Sequence, residues 1–298
     1  MKKLVSLAPL AFLIGVLPAV AQPAASSAPP KILQIFREEV KVGRTAAHQK
    51  VEVGWPKAFA QAKWPTYYLA ATSMTGPSEA WYITGYASYA AYETDQQNLE
   101  KASALFAETQ RLSALDGELL TQGRGMLASF RDDLSYNTGV NLAKMRYFTI
   151  SVARVRPGHD AEFVEARKTV KTAHEKAGLP DGAAIYQVTA GAPAGTYLVL
   201  VARASLEELD RSDAIHGDAY RQALGGEAGQ KRLAELQSSA LLSTESNHFA
   251  FSPAMSYASP QLIAGDPAFW SPKPAAAMKP AAGTKPAAAA DARAPEQK

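Results

Sequence analysis

Val155–Arg156–Pro157–Gly158–His159–Asp160–Ala161–Glu162–Phe163–Val164–Glu165–Ala166 closes a strand, turns on Pro-Gly and opens a helix. Proline and glycine here punctuate two periodic segments, which places an element boundary between them. Val40–Lys41–Val42–Gly43–Arg44–Thr45–Ala46–Ala47–His48 does the same work about 115 residues earlier. The recurrence reads as a tandem of two similar α+β units, and the rest of the chain is sorted by that pairing.

The spacing predicts a strand at 32–40 and a helix from 45 to about 62, stopped by Trp64–Pro65. A strand at 67–72, a turn at Gly76–Pro77 and an aromatic-rich strand at 81–86 follow. Ser88 caps helical sequence reaching about Leu120, and Gly123 and Gly125 break it before a strand at 126–131. The second half repeats the order: a strand at 147–155, a helix at 160–177, and a hairpin of 184–189 with 196–202. A capping box at Ser205–Leu206–Glu207–Glu208 opens helical sequence to about Leu242, and the last strand is 248–252. Gly43 pairs with Gly158, Pro65 with Pro180, Pro77 with Pro193 and Ser88 with Ser205. Each half is therefore β-α-β-β-α-β, with units at 31–138 and 145–258.

The ends stand apart from this repeat. Residues 1–21 have a basic start (Lys2, Lys3), an apolar run and a small-x-small ending at Ala19–Val20–Ala21, the layout of a cleaved secretory signal peptide. No cysteine follows to carry a lipid anchor, and the 298 residues contain none at all, which rules out disulfides, thiol nucleophiles and Cys-based metal sites. Residues 22–30 read as a linker, and 259–298, rich in Pro, Ala and Lys toward their end, as a disordered tail. The formal net charge of +3 belongs to the ends; the folded part is slightly acidic, and nothing argues for a nucleic-acid face. The expected compartment is the periplasm or the exterior, with no transmembrane segment in the mature chain.

A strand ending Val155–Arg156–Pro157–Gly158, a helix opening Asp160–Ala161–Glu162–Phe163 and an aromatic-rich hairpin resemble the dimeric α/β-barrel superfamily, which includes NIPSNAP-type and antibiotic-biosynthesis-monooxygenase-type domains. The resemblance covers residues 32–136 and 146–257. It implies two ferredoxin-like units whose sheets close face to face into a barrel with helices outside. Both units lie in one chain here, so the barrel closes within a monomer. Many unrelated activities use this superfamily, and the resemblance fixes no reaction.

Alternation sorts each strand into two faces. Leu33 and Ile35 match Phe148 and Ile150, while Ala128 and Phe130 match Phe249 and Phe251; these apolar sets are assigned to the face under the helices. The mixed face is assigned to the lumen. It supplies the ligand-binding set Gln34, Glu38, Tyr82, Thr84, Tyr86 and His248, a semi-polar aromatic lining suited to a small organic molecule. Glu38 and His248 are the pair that can act as acid and base. The bland counterpart is that these side chains only fill the barrel.

His48 and His174 fall on core-facing helix positions and read as hydrogen-bonded core histidines. No spacing of His and carboxylates reads as a metal site. Proteins resembling chlorite dismutases and dye-decolourising peroxidases hold haem between a helix and the sheet of the C-terminal unit. That resemblance makes His174 an axial-ligand alternative with Arg203 or Arg154 as distal cation, although the peroxidases' Gly-x-x-Asp-Gly pattern is absent. The favoured reading is a cofactor-free barrel that binds a small apolar or aromatic molecule in its lumen. The alternatives are a cofactor-independent monooxygenase or isomerase, a haem protein through His174, or an interaction module with a filled barrel. The expected partner is a small-molecule ligand, with self-association left open.

Overall fold

The computed structural model describes residues 28–211 and 217–271; the expected signal peptide and most of the expected tail lie outside these residues. The first unit contains β1 (Ile32–Val40), α1 (Thr45–Glu52), α2 (Gly54–Gln61), β2 (Tyr68–Ser73), β3 (Glu79–Tyr86), α3 (Tyr89–Lys101), α4 (Ser103–Gly117) and β4 (Leu120–Phe130). The second contains β5 (Tyr147–Val155), α5 (Asp160–Ala177), β6 (Ala184–Ala190), β7 (Thr196–Arg203), the short α6 (Glu207–Asp210) and α7 (Asp218–Ala223), α8 (Gly226–Ala240) and β8 (Leu241–Phe251). Two short helices, α9 (Pro260–Gly265) and α10 (Pro267–Trp270), follow.

Strand order is β4-β1-β3-β2 in one unit and β8-β5-β7-β6 in the other, the antiparallel order of a ferredoxin-like sheet. Two antiparallel seams, β2 with β8 and β4 with β6, join the sheets into a closed eight-stranded barrel within one chain. Closure leaves no sheet edge exposed. The repeat extends to detail. Gly43 and Gly158 both take a left-handed backbone, φ 77° and 85°, at the turn out of the first strand. Both units also shift register at the same place, between Glu39 and Val40 against β4 and between Arg154 and Val155 against β8.

Several boundaries differ from the sequence reading. The helix expected at 45–62 divides at Val53 into α1 and α2. Gly123 and Gly125 are strand residues, because β4 starts at Leu120 and pairs with β1 along its length; the Phe36 ring lies against Gly125 and covers what a side chain would have covered. β8 likewise begins at Leu241 rather than near His248. Residues 205–208 do not form a capping box around Ser205; the first residues of α6 follow Leu206, and Glu208 accepts from the Ala204 amide instead. The tail does not begin at 259. Leu262, Ile263, Phe269 and Trp270 provide apolar surface to dock α9 and α10, with Trp270 buried and its Nε1 donating to the Ala143 carbonyl at 2.9 Å.

The face assignment is the larger correction. The main core cluster draws Leu33, Ile35, Trp81, Met126 and Ala128 from one sheet and Phe148, Ile150, Leu198, Phe249 and Phe251 from the other, so the apolar face is the lumen. Gln34, Glu38, Tyr82 and Tyr86 lie on the outer face, beneath the helices of the first unit. The reason is geometric. An eight-stranded barrel is just wide enough for its interior side chains to fill, so its bulkiest apolar residues go inside. Small residues at outer positions, Ala70 and Ala80, let the helical layer approach the sheet.

Neighbouring residues of β1 test this orientation. Ile35 is fully buried and Phe36 is 48% exposed. Ile35→Ala is expected to cost about 2–5 kcal/mol in denaturant titrations, and Phe36→Ala less than about 1 kcal/mol. The opposite order would return the apolar face to the helices.

Candidate functional site

The filled lumen opens at one end. Leu33 at the start of β1, Ile83 and Gly85 at the end of β3, Phe148 on β5, Tyr186 on β6 and Leu200 on β7 line a cavity of about 580 Å³. The segment joining the units (Asn137 to Ala143) and α9 (through Gln261 and Leu262) form its rim, together with Pro29 and Pro30. That rim is tied down. Arg146 forms an ion pair with Asp266 and stacks over the Phe269 ring, 4.0 Å to the centroid. Asn137 donates to the carbonyls of Leu179 and Asp181, and the Tyr186 hydroxyl donates to the Pro30 carbonyl. Among the described residues, the lining contains no carboxylate, lysine, arginine or histidine. The opposite end of the lumen is charged: Arg37 donates to Glu79 at 2.9 Å, Glu79 accepts from Trp81 Nε1, and Glu39, Gln122 and Arg124 share a small cavity with them.

None of the six residues expected to bind ligand lines the cavity at the mouth. Tyr86 donates to Asp95 of α3 at 2.9 Å, with Gln34 Oε1 3.2 Å from the same hydroxyl. Thr84 lies between Gln34 and Tyr68 in the strand register. His248 Nδ1 is 3.1 Å from Thr149 Oγ1 on the second unit's sheet. Glu38 and His248 do not converge. Glu38 is opposite Ala80, Ala80 opposite Thr72, and Thr72 opposite Ala250; three interstrand steps of about 4.8 Å put roughly 14 Å between the two strands.

Glu38 instead meets residues that the sequence reading left out of any site. His48 Nε2 is 3.1 Å from Glu38 Oε2 and 3.6 Å from Asp116 Oδ1. Glu52 lies beside them, its Oε1 accepting from Trp55 Nε1 at 3.0 Å. The Tyr82 hydroxyl faces Glu52 without closing a hydrogen bond. One donor atom from each of Glu38, His48, Glu52 and Asp116 lies within 4.8 Å of the others. The sequence spacing alone does not read as a metal site; the fold brings these four possible donors together. His48 and Glu52 are four residues apart on α1, which stacks them on one helix face; that spacing was the available signal. Glu38 and Asp116 come from β1 and α4, and only the fold brings them in.

Burial dominates the electrostatics here. His48, Glu52 and Asp116 are buried, and Glu38 keeps 20% of its side chain exposed. Desolvation disfavours each charged carboxylate, and the neighbouring carboxylates add to this for Glu52 and Asp116. Glu38 is pushed up to about 7, Glu52 to about 8 and Asp116 to about 6.

His174 has different company. Its Nδ1 is 2.9 Å from the Val170 carbonyl, its Nε2 faces the Tyr136 hydroxyl at 3.5 Å, and its ring sits between those of Tyr136 and Tyr220, with centroids 4.4 and 5.0 Å away. An axial haem ligand needs one free nitrogen aimed at open space. Here tyrosines occupy that space, and these residues do not fit haem. The Arg203 side chain is held near Thr149, its Nε 3.3 Å from Thr149 Oγ1.

Carboxyls that bind protons more tightly folded than unfolded make a contribution to stability that is complete below about pH 4.5 and lost as pH rises through 6, 7 and 8. In chelator-containing buffer, stability is therefore expected to fall between pH 5 and pH 8.5. Glu52→Gln is expected to flatten that fall by about 1–3 kcal/mol. An unchanged slope would show that Glu52 does not titrate in this range.

No protein-family model matches the sequence, and no curated protein matches it. Among solved structures, the chain is similar to an anthrone oxidase-like protein (13% identity, 74% of this chain and 92% of that one, TM-score 0.48). It is also similar to a provisionally named monooxygenase from Fusobacterium nucleatum (12%, 75% and 93%, TM-score 0.47). A mutant chlorite dismutase from Candidatus Nitrospira defluvii aligns at 11% identity, over 76% and 93%, with a TM-score of 0.41.

Proposed function

We propose that the protein binds a small, neutral, apolar or aromatic molecule at the open end of its barrel. The observation that carries this reading is the cavity of about 580 Å³ whose walls are the lumen's own apolar side chains. That volume falls within the usual range for small-molecule sites. A lining without a charged side chain offers no counter-charge, so a charged ligand would lose its hydration uncompensated. Asn141, Ser259 and Gln261 at the rim can orient a ligand through one or two hydrogen bonds. The enzymatic alternative through Glu38 and His248 lacks its geometry, because the two lie on separate sheets and neither reaches the cavity. The proposal includes the compartment: the layout of residues 1–21 supports export to the periplasm or beyond.

Ala202 lines the cavity at the end of β7. Ala202→Trp is expected to fill part of it and to weaken binding of a neutral, polarity-sensitive aromatic fluorophore by at least about tenfold, or 1.4 kcal/mol, while the circular dichroism spectrum is retained. Equal binding by the folded variant would move the ligand elsewhere. The export reading is tested by intact mass of the chain recovered from the producing cells, with Gln22 expected as the first residue.

A further inference from the structure

We infer that Glu38, His48, Glu52 and Asp116 form a binding site for a first-row divalent transition-metal ion in the helical layer of the first unit. The inference is independent of the ligand proposed for the barrel mouth. Leu33 lines that cavity and Glu38 lies five residues further along β1, about 17 Å away.

Geometry comes first. Four donor atoms lie within 4.8 Å of one another, three of them on buried residues. An ion with ligands at about 2.0–2.2 Å needs its donors roughly 3.0–3.5 Å apart. The distances from His48 Nε2 to Glu38 Oε2 and Asp116 Oδ1, 3.1 and 3.6 Å, already approach that spacing. His48 is held by α1, Asp116 by α4 and Glu38 by β1, so the donors approach a common point from three elements.

Unmet polar atoms supply the second, independent observation. Asp116 Oδ1 is buried without a hydrogen-bond partner, and so is the hydroxyl of Tyr82, a residue 8% exposed. That hydroxyl points at Glu52 from the sheet side. Buried polar atoms are nearly always partnered, and an orphaned pair around a carboxylate cluster calls for a bound species. Trp55 Nε1 meanwhile holds Glu52 Oε1 and orients the carboxylate, as outer partners of metal ligands do.

The second unit shows that the fold does not require this group. Strand and helix registers place Ala153 at the position of Glu38, Phe163 at His48, Arg167 at Glu52 and Val199 at Tyr82. There Phe163 stacks on Tyr197 in an ordinary apolar core, with ring centroids 4.4 Å apart. Buried carboxylates are a poor source of stability, so one unit's use of three calls for a ligand-binding explanation. The donor set names the class. Three carboxylates and one imidazole, with no sulfur, suit Mn²⁺, Fe²⁺ or Zn²⁺ better than a soft cuprous ion, and the imidazole disfavours Mg²⁺ and Ca²⁺. The partly exposed Glu38 is the way in.

The test is calorimetric titration of the chelator-stripped full chain with Zn²⁺ and with Mn²⁺, with Mg²⁺ as the comparison. One equivalent is expected to bind, with a dissociation constant in the micromolar range or tighter and a rise in melting temperature. The double variant Glu38→Ala with His48→Phe installs the residues that the second unit carries at these positions. It is expected to fold and to lose at least about 100-fold in affinity. Glu38→Gln, at the partly exposed ligand, is the milder second variant and is expected to lose at least about tenfold. Absence of one-to-one binding of either transition ion, or Mg²⁺ binding as tightly as they do, would overturn the site. So would undiminished binding in both variants, since that would place the ion elsewhere on the chain.

Discussion

The structure depends on filling a closed eight-stranded barrel from the inside. Closure satisfies every strand on both sides, and the interior it creates admits only side chains that interlock across two sheets. Trp81 against Phe249, with ring centroids 5.6 Å apart, is a contact through which one unit's sheet meets the other's, and Phe148 against Phe251, at 4.5 Å, packs two neighbouring strands of the second unit inside the barrel. The core inside the barrel is therefore shared between the two units. Packing falls short of filling at the end where the strands start or finish on Leu33, Gly85 and Ala202, and the cavity results from that shortfall.

Because the lumen takes the bulky apolar residues of both units, the outer faces were free to diverge. They did so under short amphipathic helices rather than inside the barrel. The second unit built a conventional layer there from Phe163, Ala166 and Val170. The first built aromatic surface further along, with Phe59, Trp64, Tyr68 and Tyr257 in contact, and left a charged group between α1, α4 and β1. The excess of aromatic residues in the first half, visible in the sequence, belongs mostly to this outer layer.

How far the sequence could be read follows from these facts. The strand–turn–helix repeat was legible because Gly43 and Gly158 mark a backbone geometry that few other residues adopt, and local geometry is written locally. The two faces of each strand were legible for the same reason, since Leu33 and Ile35 alternate with Gln34 and Phe36. Which face was the lumen was not. Alternation is symmetric under exchange of inside and outside, and both faces of a barrel strand in an α/β barrel are covered. The decisive sign was size: alanines at 70 and 80 mark the side that a helix must approach closely, and tryptophan and phenylalanine at 81 and 249 mark the side that must be filled. β4 and β8 were underestimated because glycine and polar residues dominate their first halves, where pairing with β1 and β5 overrides propensity.

The charged group was half legible, and the half that could not be read explains the rest. His48 and Glu52 share a helix face by spacing alone, a common pattern that separates nothing from an ordinary polar helix surface. What makes them unusual is burial against Glu38 and Asp116, and burial depends on the order in which β4, β1 and β3 lie under α1 and α4. The physical argument then turns on asymmetry between two copies of one fold. If the carboxylates were a requirement of the architecture, the second unit would need equivalents, and it has alanine and arginine at the positions of Glu38 and Glu52. If they were harmless surface charges, their donor atoms would face water, and three of the four residues are buried. A group that the fold neither requires nor leaves solvated carries an electrostatic penalty. A cation that neutralises the carboxylates and satisfies Asp116 Oδ1 removes that penalty.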